Sequence, residues 1–144
     1  MNVQTILRDK GDAVATIHQN ATVDEAVTLL HQKRVGALVV SDDGEHVDGI
    51  LSERDIVAAL ALYSSELLPL RVAEVMTRPV VTCVPEDSVA ELMAEMTNRR
   101  IRHLPVLSAG RLCGIVSIGD LVKSRLDEIE YEAHSMRSFI AGAA

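Results

Sequence analysis

The sequence predicts an α/β fold of the α+β kind: two β-α-β-β-α units packed sheet to sheet with pseudo-two-fold symmetry, plus a C-terminal helix. Three observations predict it. Gly49-Ile50-Leu51-Ser52-Glu53-Arg54-Asp55-Ile56-Val57 returns 65 positions on as Gly114-Ile115-Val116-Ser117-Ile118-Gly119-Asp120-Leu121-Val122. Thr22-Val23-Asp24-Glu25 and Ala37-Leu38-Val39-Val40 return 66 positions on as Ser88-Val89-Ala90-Glu91 and His103-Leu104-Pro105-Val106. Within each copy the apolar pattern changes from helical spacing to short strand-like runs in the same order. The repeat divides the chain into residues 1–65, residues 66–126 and a helical extension over 127–144.

Each unit opens with a strand, over 13–17 and 80–84. Thr22 and Ser88 then stand where a helix N-cap is needed, with Glu25 and Glu91 three residues on. That is a capping box, which satisfies two orphan backbone donors. Val23, Ala26, Val27 and Leu30, like Val89, Leu92, Met93 and Met96, recur at i, i+3, i+4, i+7 and define one buried helical face. Strands follow over 37–40 and 104–107, then turns at Asp42-Asp43-Gly44 and Ser108-Ala109-Gly110. Further strands over 47–51 and 112–116 lead into helices that open at Ser52 and Ser117. The connection over 64–78 carries Leu67, Leu68, Leu70, Val72, Val75 and Met76, enough apolar surface to pack down. Beyond the repeat, Val122, Leu126, Ile129, Ala133, Met136 and Ile140 form a short a/d seam, and Asp127, Glu128, Glu130 and Glu132 cover much of the outer face. Such a seam packs back on its own module or against a twin helix.

Composition narrows the function. Apolar residues make up 48% of the 144, yet there is one Phe, two Tyr and no Trp, so the core is aliphatic. Fourteen basic residues against 21 acidic ones give a net charge of −7, which argues against broad nucleic-acid binding because that needs a basic face. No apolar run approaches a membrane span and the first residues lack a signal-peptide core, so the cytoplasm is the expected compartment, with no membrane partner. Cys83 and Cys113 form no CxxC pair and fall in expected strands, as reduced, buried thiols. His18, His31, His46, His103 and His134 have no ligand spacing, so no metal site is expected.

The Gly-x-x-Ser-x-x-Asp ends carry the chemistry. Ser52 with Asp55, and Ser117 with Asp120, sit at strand-to-helix junctions, where free backbone N–H groups and the helix dipole favour an anion. A Ser hydroxyl there donates to a phosphate oxygen, and a carboxylate one turn later accepts from a ribose diol. Gly49 and Gly114 admit a close backbone approach upstream. The same S-x-x-D pattern is also a capping box, and on spacing alone capping is the stronger reading.

The repeat, together with Val75-Met76-Thr77-Arg78-Pro79-Val80, Arg102-His103-Leu104-Pro105-Val106 and the two Gly-x-x-Ser-x-x-Asp ends, resembles a tandem pair of CBS domains, a Bateman module, over about residues 5–125. Within that family it looks like the small stand-alone bacterial proteins. The resemblance implies that Ser52 and Ser117 contact phosphate and that Asp55 and Asp120 hold the ribose of an adenine nucleotide. It implies that Arg102 and His103 approach the phosphates, and that Thr16 and Thr82 border the adenine. The implied ligand is AMP first, with ADP, ATP, NAD or S-adenosylmethionine as alternatives. The Ser117–Asp120 site is expected to bind better, because Gly119 leaves room and Arg99, Arg100, Arg102 and His103 precede its strand, whereas Glu53 adds negative charge at Ser52 that Arg54 offsets. Without a positioned nucleophile, acid–base pair or metal, the expected protein is a non-enzymatic sensor. The resemblance also implies a homodimer; docking on a separately encoded partner is the competing role.

Overall fold

The computed structural model describes residues 1–143; Ala144, the last residue of the expected extension, lies outside the described residues. The elements run α1 (Val3–Lys10), β1 (Thr16–Ile17), α2 (Val23–Lys33), β2 (Ala37–Val40), β3 (Gly49–Ser52), α3 (Glu53–Tyr63), a 3-10 turn (Ser64–Glu66), α4 (Val72–Val75), α5 (Val89–Arg99), β4 (His103–Ser108), β5 (Arg111–Ser117) and α6 (Ile118–Ala143). In the first half β1 runs parallel to β2, and β2 antiparallel to β3. The second half keeps only the antiparallel β4–β5 pair as a ladder.

The strand expected over 80–84 shrinks to one parallel bridge, Cys83 to Val106. Prolines explain it. The Cys83 N–H donates to the Pro105 carbonyl at 3.0 Å and the Leu107 N–H to the Cys83 carbonyl at 2.8 Å. One register step back, β4 must donate from residue 105, and one step forward residue 85 must donate. Both are proline and have no N–H. In the first half Val39 stands in the place of Pro105 and donates to the Ala15 carbonyl at 3.1 Å, so β1 forms, over Thr16–Ile17 rather than 13–17.

The capping boxes divide in the same way. Thr22 forms both bonds of the box with Glu25, whereas the Ser88 side chain accepts from the Glu91 N–H and the return bond is missing. Helices α2 and α5 both end on an arginine in the left-handed region, Arg34 at φ 54° and Arg100 at φ 55°.

The two cores are closed by exchanged helices. Val3 and Ile6 of α1 are buried with Val89, Leu92, Met96, Leu104, Val106, Val116 and Leu121 of the second half. Val72 of α4, with Val75 and Met76, packs on Ile17, Ala26, Leu30, Leu38, Val40 and Leu51 of the first. Each exchange is pinned at a helix N-cap by a matching backbone bridge, Asn2 to Ser88 and Thr22 to Arg71. The glycines of the signature make room for it. A Cβ on Gly114 would lie 2.7 Å from Leu7 Cδ2, and one on Gly49 would lie 2.5 Å from Met76 Sδ. Both glycines therefore admit the exchanged helix.

Helix α6 is continuous for 26 residues, so the extension expected from 127 onward is the same helix that begins at Ile118. Its seam is open: Leu126, Ile129, Met136 and Ile140 are all exposed, so within one chain the seam does not pack back. No helix among the described residues is long and apolar enough to cross a membrane. Truncating the buried Ile6 to alanine should cost about 2–5 kcal/mol in urea unfolding. A cost below about 1 kcal/mol would mean that α1 is not part of the second core.

Candidate functional site

Ser52 ends β3 and caps α3. Its hydroxyl oxygen accepts the Asp55 N–H at 3.3 Å, and Asp55 Oδ2 accepts both the Ser52 N–H at 2.9 Å and the Ser52 hydroxyl at 3.0 Å. The capping geometry is thus formed at this junction. It leaves Asp55 Oδ1 for the Thr77 hydroxyl, which donates at 2.7 Å. Thr77 is held there because its backbone pairs with Ile50 of β3, with the Thr77 N–H on the Ile50 carbonyl at 2.8 Å.

A cavity of about 270 Å³ opens above this station. From the first half it is lined by Gly36, Ile50, Ser52, Glu53, Arg54 and Asp55; from the second by Thr77, Arg100, Ile101, Arg102 and His103. It is therefore a cleft between the two repeats. Arg54 ties the walls together, donating to the Arg100 carbonyl at 2.8 Å. That contact is the hydrogen bond Arg54 makes across the cleft in this structure. Gly36 allows the close fit, since a Cβ there would lie 3.0 Å from Glu53 Oε1 and 3.2 Å from the His103 ring.

The other expected residues fall elsewhere. His103 pairs with Ser117 in the β4–β5 ladder and the Arg102 carbonyl accepts from the Ile118 N–H, yet both residues line the Ser52 cavity. Of the basic cluster expected to favour Ser117 and Asp120, Arg100, Arg102 and His103 thus line the opposite station, and Arg99 pairs with Glu95 at 3.1 Å. At that second station the Asp120 N–H donates to the Ser117 hydroxyl at 3.1 Å and the Ser117 N–H to Asp120 Oδ2 at 2.9 Å, while Lys10 forms a 2.7 Å ion pair with the same oxygen. Gly119 is exposed beside them. Thr16 borders a separate depression along α2. Thr82 is exposed next to Cys83, and Gly49 and Gly114 face the exchanged helices. Sequence reasoning missed Gly36, Thr77 and Lys10 as neighbours of these stations. Only Thr77 carried a signal, in the Val75-Met76-Thr77 motif.

Burial lowers the pKa of His103 from its usual 6.5, with Lys10 and Arg102 acting the same way and Glu53 and Asp120 opposing. Burial pushes the Cys83 thiol up to about 12, and also raises that of Cys113, which is only half-buried. Both cysteines are free, and both are thiols rather than reactive thiolates at neutral pH. No group of three or more potential metal ligands is found among the described residues.

Two repeated α/β units that hold an arginine-lined cleft between them define a paired module. The family model for the CBS domain matches residues 10–62 and 72–127, and the chain belongs to that family. It is 36% identical over 125 residues to the mitochondrial CBS domain-containing protein CBSX3 of Arabidopsis thaliana; the match covers 84% of this chain and 61% of that protein's length. A crystal structure of a CBS-domain containing protein from Agrobacterium tumefaciens is 43% identical and superposes with a TM-score of 0.84, over 87% of this chain and 99% of that one. The CBS domain pair of the protein MJ0100, solved in complex with 5′-methylthioadenosine and S-adenosyl-L-methionine, is 28% identical with a TM-score of 0.75, over 90% of this chain and 98% of that one.

With its lowered pKa, His103 is neutral at pH 7 and the unfolded chain takes up its proton first as pH falls. The stability due to neutral His103 is complete above pH 6.5 and is lost as pH drops through the lower native value. NMR titration should place the His103 midpoint below 6.5, and His103→Gln should reduce the fall in stability on that acid limb. A midpoint above 6.5 would contradict the burial argument.

Proposed function

We propose that the chain is a non-enzymatic regulatory module that binds an adenine nucleotide in the cleft between its two CBS repeats and acts as an energy or metabolite sensor. One observation carries this reading: the cleft joins the Ser52–Asp55 station of one half to Arg100, Arg102 and His103 of the other. The carboxylate suits a ribose diol, the Ser52 hydroxyl and α3 N-terminus suit a phosphate, and the arginines add charge-assisted donors. The relative that binds 5′-methylthioadenosine and S-adenosyl-L-methionine supports an adenosine-containing ligand, the part those two molecules share. Three arginines favour a phosphate over the sulfonium of S-adenosylmethionine. A volume of about 270 Å³ lies just below the range common for ligand pockets and favours AMP over ADP, ATP or NAD. Since the ligand touches both halves, it shifts their relative arrangement by its differential affinity for the two states. The order of the stations is the reverse of that expected from the sequence, with Ser52–Asp55 the stronger.

Calorimetric titration with AMP tests this. Arg102→Ala should weaken binding at least tenfold and leave the melting temperature without ligand unchanged, because Arg102 is exposed and caps nothing. Asp55→Ala should weaken binding by a similar factor, and also loses a cap. Equal affinity in Arg102→Ala and the parent would remove the phosphate from this cleft.

The open seam of α6 supports a homodimer, with Leu126, Ile129, Met136 and Ile140 of two copies facing each other. Sedimentation should show a dimer that Leu126→Glu with Ile129→Glu converts to a monomer. If the parent is monomeric and no adenine ligand raises its melting temperature, the second reading takes over: a docking module for a separately encoded partner.

A further inference from the structure

Resting on the adenine-ligand reading above, we propose that Lys10 decides how many ligands the chain takes, because its own ammonium group occupies the Ser117–Asp120 station. The Lys10 ammonium donates to Asp120 Oδ2 at 2.7 Å and to the Ile115 carbonyl at 2.9 Å. The matching acceptors in the first half are Asp55 and the Ile50 carbonyl, and there both bonds come from Thr77, one from its hydroxyl and one from its N–H. A hydroxyl is neutral and leaves the carboxylate its charge. An ammonium brings three donors and a positive charge to the group that a ribose would use.

The difference between the halves follows from helix length. Helix α4 ends after four residues, so the chain beyond it runs alongside β3 and delivers Thr77. Helix α1 continues for eight residues, and Lys10 follows Leu7 by three, on the face that Leu7 pins against Gly114. Gly11 ends the helix at φ 91°, its N–H on the Leu7 carbonyl at 2.8 Å, so the lysine is presented from an ordered last turn. Met1, Ile6, Lys123 and Ser124 line the small depression around Lys10 and Asp120.

Burial pushes the Asp120 carboxyl up, but the bonds from Lys10 and Ser117 outweigh it and hold its pKa below the usual value. Asp120 is therefore ionised throughout the neutral range. The bonds are charge-assisted, though the pair is partly open to solvent, and a ribose has no charge with which to replace the lysine. Lys10 itself contributes no packing that the fold needs, since Val3, Ile6 and Leu7 anchor α1.

The test is the count of AMP molecules bound per chain in calorimetric titration. One is expected for the parent, two for Lys10→Met and for Lys10→Gln, and one for Lys10→Met combined with Asp55→Ala. Two per parent chain, or one per chain in both Lys10 variants, overturns the role of Lys10 and leaves the Ser52 cleft standing. Weaker binding at the first site in the Lys10 variants with no second site also overturns it, and would make Lys10 a ligand contact. No binding to the parent or either variant overturns the adenine-nucleotide reading, and this inference with it.

Discussion

The exchange of helices α1 and α4 is the constraint on which the rest of the molecule depends. Neither half has a closed core without a helix whose chain position belongs to the other. A unit of about 55–60 residues buries only a marginal share of its surface by itself. Here the missing cover comes from Val3 and Ile6 on one side and from Val72, Val75 and Met76 on the other. Pulling the halves apart would uncover both cores, so the cleft between them is as durable as the fold. The signature glycines belong to this exchange, since Gly49 and Gly114 are the points where Met76 and Leu7 enter.

Pseudo-symmetry sets up two stations, and a few side chains make them different. Arg54 bridges to Arg100 where its counterpart is Gly119. Gly36 lies flat where its counterpart is Arg102. Both pairs enrich the Ser52 side, so the duplicated frame concentrates donors in a single cleft. Duplication explains the frame, and the departures from it explain the electrostatics.

The sequence disclosed what is local or periodic. The 65- and 66-residue offsets, the Thr22 capping box, the two S-x-x-D junctions and β2 over Ala37–Val40 depend on neighbours along the chain, and they were legible there. The missing strand over 80–84 was also written in the sequence, as Pro85 and Pro105, but only the pairing register shows which donors they remove. The helix exchange was not legible as such, because Val3-x-x-Ile6-Leu7 and Val72-x-x-Val75-Met76 share a pattern without saying which core each joins. The same gap hides which cavity the basic cluster lines. Arg102 and His103 adjoin Ser117 through the backbone, and it takes the second half's position against the first to put them across from Ser52.

Helix α6 turns the second station into the root of a long arm. Ser117 immediately precedes it and Asp120 lies in its first turn. Twenty-six residues rising 1.5 Å each make a rod of about 39 Å. A tilt of about 5° at the root carries the tip sideways by roughly 3 Å over that length, close to the width of an atom. A small angular change at the root would thus be magnified into displacement at the far end. The magnification would be set by the length of the helix.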